Sequence, residues 1–235
     1  MFRNLFFAAV LAALCAGLLN SAIQHFRVTP LILAAEHYEG EAHAHSHEGG
    51  SADAAAAAHL QAENEWAPQD GFERTAYTVL ANVLVAISFA LILMALSLFA
   101  DLPITFGNGA LWGMAGFLAV SLAPAFGLAP ELPGMPAGEV LPRQIWWFGT
   151  VLATGGAILI IAKTRAAWAF AVAVLLIAAP HIIGAPQPPD QNSAVPAHLA
   201  TEFAAAALGT AAVFWVVLGL LFGRFNDLFA RRASL

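Results

Sequence analysis

The residues best suited to chemistry in this 235-residue chain lie between Glu36 and Glu48, in the run E-H-Y-E-G-E-A-H-A-H-S-H-E. Four histidines and four glutamates occupy this run, although only 10% of the whole chain is charged. Imidazole nitrogen and carboxylate oxygen together form a ligand set for divalent transition metals such as Zn, Co, Ni or Cu. The run therefore indicates the capture of a metal ion.

Two backbone geometries would gather ligands within this run. His43, His45 and His47 alternate with other residues, so an extended chain would direct all three to one side. A helix would instead align His37, Glu41 and His45 on one face. The alternative is a flexible, solvated loop that binds metal only incidentally.

The remainder of the chain has the composition of a membrane protein. It is 60% apolar with a mean hydropathy of +0.74, whereas soluble domains carry roughly 25% charged residues. A spanning helix needs about 20 apolar residues. Six stretches free of Lys, Arg, Asp and Glu are predicted to span: Leu5–Ile23, Tyr77–Phe99, Ala110–Leu128, Trp146–Ala162, Ala166–Ile183 and Phe203–Phe222. We expect an all-α, polytopic membrane helix bundle of about six transmembrane helices, forming one domain over residues 1–235. A cleaved signal peptide is the alternative for the first stretch.

The distribution of charge predicts the orientation. With the N-terminus inside, six of the nine basic residues become cytoplasmic, which satisfies the positive-inside rule. Both termini are then cytoplasmic, and residues 36–74 form a long outer, periplasmic loop. Thirteen of the fifteen acidic residues and all eight histidines fall at the outer face or at the outer ends of helices. Such a face favours cations as ligands and excludes nucleic acid as a partner.

Other candidate ligands lie at the predicted outer ends of the spans. Pro180 cannot donate an amide hydrogen, which leaves a carbonyl free beside His181, and intramembrane histidines usually face the bundle interior or a cavity. Gln24 either lines a path or joins neighbouring helices. His198 and Glu202 are four residues apart, as helical neighbours would be. The full candidate ligand set is Gln24, His25, Glu36, His37, Glu41, His43, His45, His47, Glu131, His181, His198 and Glu202.

Two further patterns predict packing. Five prolines fall between Pro124 and Pro142. Because irregular backbone near a membrane must be covered by protein or face water, this segment is predicted to form an outer cap or vestibule. Arg143 is expected to pair with Glu131 or Glu139. Small-residue spacing in the third span predicts close helix packing at Gly109, Gly113 and Gly116.

Several classes of function are excluded by what the sequence lacks. It contains neither a G-x-x-x-x-G-K-[ST] phosphate loop nor an H-E-x-x-H helix, so nucleotide hydrolysis by that route and zinc proteolysis are not predicted. No acidic residue lies deep in a span, so the usual proton relay is missing. An intramembrane metalloenzyme would need several ligands at one depth, and only His181 and boundary residues qualify. We therefore do not predict an enzyme.

A set of motifs covering nearly the whole chain resembles one known family. In order, these are Gln24, Pro30 and Glu36; Trp66, Pro68, Gly71 and Arg74; Trp112-Gly113, Pro124, Gly127-Leu128 and Glu131-Leu-Pro-Gly134; Arg143-Gln144 with Trp146-Trp147; Pro180-His181 with Gly184-Ala-Pro186; and Pro196, Leu199 and Phe203. Together they resemble the family of A-type subunits of the proposed Cbt cobalt transporters. Ala129 stands where that family carries proline, and the His43–His47 run lies in a part that varies among relatives.

The resemblance implies a multi-pass subunit of the bacterial inner membrane that acts in cobalt supply for cobalamin synthesis. It also implies a small single-span partner, the B subunit, with its own histidine cluster, and no organic cofactor. We expect uptake of a divalent cation, with Co²⁺ favoured by the resemblance and Ni²⁺ or Zn²⁺ possible on ligand chemistry. The alternative is a metal-binding accessory or assembly subunit that conducts nothing. Association into homo-oligomers remains open.

Overall fold

The computed structural model describes residues 2–45, 68–69, 71–164 and 166–233, and these residues form helices and connecting segments without a strand. The helices are α1 (Phe2–Arg27), α2 (Thr29–His45), α3 (Phe72–Ala100), α4 (Phe106–Gly116), α5 (Val140–Lys163), α6 (Ala167–Ile183) and α7 (Ala197–Ala233). α4 continues through a π-helical turn at Phe117–Leu122 and a last turn at Ala123–Ala125.

Five of the described helices are long and apolar enough to cross a membrane: α1, α3, α4 with its continuation, α5 and α7. α6 has 17 residues. At about 1.5 Å per residue it is roughly 26 Å long, a few ångströms short of a hydrocarbon core of about 30 Å. Every predicted span coincides with one of these six helices. The all-α membrane architecture predicted from the sequence is therefore confirmed, with five helices long and apolar enough to span a membrane and one shorter apolar helix.

Contacts between residues far apart in sequence identify the two ends of the bundle. At the terminal end, Asn4 Nδ2 donates to Phe229 O at 3.4 Å, and Asn226 Nδ2 donates to Ile104 O at 2.8 Å. At the opposite, loop end, Glu36 pairs with Arg74. The start of α1 and the end of α7 thus lie at the same end of the bundle. Which end faces the cytoplasm stays a prediction.

α1 packs against α3 and against α7. The residues that face these neighbours are small. Ala8, Ala12 and Ala16 are fully buried, and a Cβ added to Gly17 would lie 3.0 Å from Val83 Cα of α3. Because lipid tails are as apolar as leucine, helices associate in a membrane through close packing. The small residues of α1 therefore allow α3 and α7 to pack closely against it.

α4 packs against α7 through glycines. A Cβ added to Gly113 would lie 2.1 Å from the carbonyl oxygen of Trp215, and one added to Gly109 would lie 2.3 Å from that of Gly219. A Cβ at Gly116 would meet the indole ring of Trp215 at 2.3 Å. The two backbones are therefore in direct contact, and the close packing predicted for the three glycines of α4 is confirmed.

The π-helical turn of α4 ends two residues before Pro124. Proline has no amide hydrogen, and its ring would clash with the carbonyl four residues earlier in a regular α-helix. A turn widened by one residue moves that carbonyl away. The widened turn therefore allows the helix to continue to Ala125.

A second hydrophobic cluster closes the loop end of the bundle. α2 contributes Ala35, the proline-rich segment contributes Leu132, and the start of α7 contributes Leu199 and Phe203. Gln187 Nε2 also donates to Gly127 O at 3.4 Å, joining the segment after α6 to the segment after α4. The proline-rich segment is thus part of a packed cap, as the sequence indicated.

A break at Val28 separates α1 from α2. α1 ends at Arg27, and α2 begins at Thr29 with Pro30 in its first turn, where no amide donor is needed. Pro30 therefore lies in the first turn of a new helix, and the chain remains helical beyond it. α2 extends to His45, so the predicted outer loop of residues 36–74 begins as a helix.

Candidate functional site

His181 is held between two helices at the loop end. Its Nδ1 lies 2.8 Å from Ile177 O, one turn earlier on α6, and its Nε2 lies 3.1 Å from Ala123 O at the end of α4. Trp146 stacks edge-on against the ring and donates its indole N–H to Pro180 O at 3.0 Å. A neutral imidazole donates through one nitrogen only, so the other retains a lone pair. That nitrogen is the one able to bind a metal, at the cost of its present carbonyl contact.

Two candidate carboxylates are already paired with arginines. Glu131 Oε2 accepts from Arg143 at 2.6 Å, which confirms the expected pairing of Arg143 with one of two glutamates. Glu36 Oε1 accepts from Arg74 at 2.5 Å and joins α2 to α3. All four side chains are partly exposed, between 24% and 38%. Each guanidinium offsets the carboxylate charge, so neither glutamate presents an unopposed negative charge to a cation.

Gln24 belongs to a polar cluster between α1 and α3. Asn82 Nδ2 donates to Gln24 Oε1 at 2.8 Å and to Ser21 Oγ at 3.1 Å, while Ser21 Oγ donates to Gly17 O at 2.9 Å. The amide of Gln24 thus joins two helices, which was one of its two interpretations from sequence. Sequence reasoning missed Asn82, because this residue belongs to no motif and its role is visible only through the contact.

The remaining candidates lie apart from one another. His25 is exposed at the end of α1, and His198 and Glu202 are exposed on the first turns of α7. His37 is exposed on α2. Glu41, His43 and His45 have helical backbone at the end of α2, which excludes the extended geometry for that part of the run. His47 lies outside the described residues.

The described part of the chain does not assemble a metal centre. Among these residues no group of three or more His, Cys, Asp or Glu side chains could hold a metal ion. The loop end instead presents separate polar positions: the His181 contact, two arginine–glutamate pairs and the exposed histidines. This arrangement is compatible with transient, low-coordination contacts to a cation and lacks the closed ligand shell of a structural site.

One buried hydroxyl was not anticipated from sequence. Thr150 and Thr154 lie one turn apart on the buried face of α5. Thr150 Oγ1 donates to Trp146 O at 2.9 Å, whereas Thr154 Oγ1 is buried without a hydrogen-bond partner among the described residues. Threonine is common in membrane helices, so the sequence alone does not show that Thr150 is hydrogen-bonded and that Thr154 lacks a partner.

Comparison with known proteins gives one family. A family model described as "Probable cobalt transporter subunit (CbtA)" matches residues 2–227, nearly the full length. No curated protein and no solved structure matches the chain.

Proposed function

Because the chain belongs to the family of probable cobalt transporter subunits, we propose that it is the membrane subunit of a divalent-cation uptake system in the bacterial inner membrane, with Co²⁺ as its substrate. The full-length family match carries this proposal, and the five membrane-crossing helices are consistent with it. A transporter subunit is not an enzyme. Nitrogen and oxygen ligands do not select cobalt by affinity, so Ni²⁺ and Zn²⁺ should compete for capture.

In this proposal the histidine–glutamate run collects the metal and passes it to the loop end of the bundle. α2 supports this role because it carries the run as far as His45. This helix packs onto the cap through Ala35 and is joined to α3 through Glu36 and Arg74. A cation captured near His37 would therefore be close to the cap. His181, with one nitrogen lone pair, is the proposed first contact within the bundle.

The membrane potential would be a sufficient driving force for inward movement. One elementary charge gains about 2.3 kcal/mol per 100 mV, so a divalent cation gains roughly twice that amount. In this proposal, uptake needs no hydrolysis of ATP. Since ligand histidines must be neutral, uptake should weaken as the pH falls below about 6.5.

The alternative function is a non-conducting, metal-binding accessory subunit. The middle of the seam between α1 and α7 favours this possibility, because alanines of α1 and large apolar side chains such as Leu218 and Phe222 fill it. In either case the description of the family as a subunit implies a partner. We propose a small single-span, histidine-rich B subunit for that role.

Uptake of radiolabelled Co²⁺ by cells that express the chain, with and without the proposed B subunit, tests these functions. We expect uptake above that of cells with an empty vector. Replacement of His43, His45 and His47 by alanine should reduce uptake most at low metal concentration, as the loss of a collector would. His181→Ala should reduce uptake at all concentrations.

Trp146→Phe is the matched control for His181→Ala, because it removes the indole hydrogen bond to Pro180 and leaves the imidazole in place. Equal losses in both variants would assign His181 a structural role only. If every form, including the wild type with its partner, inserts in the membrane but takes up no Co²⁺, the transporter function is refuted and the accessory role remains.

A further inference from the structure

A groove of about 510 Å³ opens between the end of α1, the start of α2 and the first turns of α7. Ile23 and Phe26 form one wall, while Ala205, Gly209 and Val213 form the other. These α7 residues recur at every fourth position, so the groove follows the helix axis for about 12 Å. Gly209 is exposed, and a Cβ added there would have no atom within 4 Å. The groove therefore has apolar side chains on both walls and open space at its centre.

Two opposite charges flank this groove at the loop end of the bundle. Arg27 is the last residue of α1, and Glu202 lies in the second turn of α7. Both side chains are exposed, and neither forms an ion pair or a hydrogen bond within the part of the chain that the structure describes. A cation and an anion thus face one groove at the loop end of the bundle, and neither is paired with another of the described residues.

We propose that this groove binds one zwitterionic phospholipid whose head group carries a primary amine. Arg27 binds the lipid phosphate, for which a guanidinium has the matching planar donor geometry. Glu202 accepts a hydrogen bond from the ammonium group. One acyl chain lies over Gly209 and Val213, where the absent side chain of the glycine leaves space.

The dimensions and charges favour a lipid over a second protein chain. A specific protein interface buries roughly 800 Å² on each partner, which a groove about 12 Å long does not supply. Its volume falls within the range of about 300–1,000 Å³ that is typical of sites for small molecules. The charge pair is complementary to a phosphate followed by an amine, and an anionic lipid without the amine would leave Glu202 unpaired.

Native mass spectrometry of the full-length chain in detergent tests this proposal. The delipidated protein is incubated with dioleoyl phosphatidylethanolamine or with dioleoyl phosphatidylglycerol. We expect one bound phosphatidylethanolamine, retained about tenfold more strongly than phosphatidylglycerol, because one hydrogen bond to a charged group gives about that factor. Glu202→Gln should abolish this preference. Arg27→Gln should weaken the retention of both lipids.

Gly209→Leu tests the apolar part of the groove, because the new Cβ would have no atom within 4 Å and the rest of the side chain would occupy the space proposed for the acyl chain. We expect this variant to lose bound lipid while it elutes as a folded protein. Gly149→Leu is the matched control, since Gly149 of α5 is also exposed with nothing within 4 Å of an added Cβ. That variant should retain the lipid as the wild type does.

Three results would overturn the proposal. The wild type would retain both lipids equally, Gly209→Leu would retain phosphatidylethanolamine unchanged, or the spectra would show a dimer that Gly209→Leu dissociates. The last result would identify the groove as a contact between two copies of the chain. None of these measurements depends on metal transport, so the lipid site and the proposed function fail independently.

Discussion

The contact between α4 and α7 should be sensitive to a single methyl group at Gly113. A Cβ at this position would lie 2.1 Å from Trp215 O and 2.9 Å from Val216 Cα. Both are backbone atoms, so no side chain can rotate away. Bringing the oxygen to an ordinary contact of about 3.4 Å requires α4 to move away from α7 by roughly 1.3 Å, the difference from the 2.1 Å that the structure gives.

The free-energy change of Gly113→Ala has two opposing parts. Overpacking of this kind costs about 1–3 kcal/mol, and the upper value applies here because the neighbouring contact at Gly109 is lost in the same movement. Alanine in place of glycine favours a helix by about 1 kcal/mol. The net expectation is a decrease of about 2 kcal/mol in the free energy of unfolding.

Gly156→Ala on α5 is the matched control. No atom lies within 4 Å of a Cβ added at Gly156, so the substitution keeps only the helix-propensity gain. We expect the free energy of unfolding to rise by about 0.5–1 kcal/mol. Unfolding in mixed micelles by titration with sodium dodecyl sulfate, followed by circular dichroism, measures both variants.

The two variants should therefore differ by about 3 kcal/mol. If Gly113→Ala unfolds within about 0.5 kcal/mol of the wild type, or if both variants shift equally, then α4 and α7 do not pack through their backbones. The reasoning about the glycine contact would then be wrong, whatever the function of the protein.

Three other predictions follow from side-chain contacts. Asn82→Leu should lower the free energy of unfolding by about 1 kcal/mol, because Gln24 loses its partner inside the bundle. The double variant Asn82→Leu with Gln24→Leu should recover part of this loss when it is measured by the same titration with sodium dodecyl sulfate. Glu131→Arg and Arg143→Glu should each lower the stability, and the double variant, in which the charges are exchanged, should recover most of that loss. The effect is small, since a partly exposed pair contributes only up to about 1 kcal/mol. Equal stability of all three variants would show that the pair contributes nothing. Thr154→Val should raise the midpoint of unfolding, since it removes a buried hydroxyl without a partner in the described structure; a lowered midpoint would indicate a hydrogen bond to a bound water or ion.

The positions of the spans and several packing features could be predicted from residues that are close in sequence. A run of about 20 apolar residues without charge is favoured in a membrane whatever its neighbours are, because the transfer free energy is a sum over consecutive residues. The close packing at the glycines of α4 was likewise predicted from the spacing of residues within one segment. The resemblance to the Cbt cobalt transporter subunits likewise rested on short motifs in a fixed order along the chain, and the match of the family model to residues 2–227 agrees with it.

The pairing of polar residues depended on the tertiary structure. His181 and Ala123 are 58 residues apart, as are Asn82 and Gln24, and Arg74 is 38 residues from Glu36. Which side chains meet is decided by the rotation and depth of each helix, and these depend on packing along every seam at once. For that reason the sequence predicted a set of metal ligands at the loop end, whereas the structure shows some of those residues bound to arginines, amides and carbonyls. Hydrophobicity places a helix in the membrane, and only its contacts with the other helices determine what its polar residues bind.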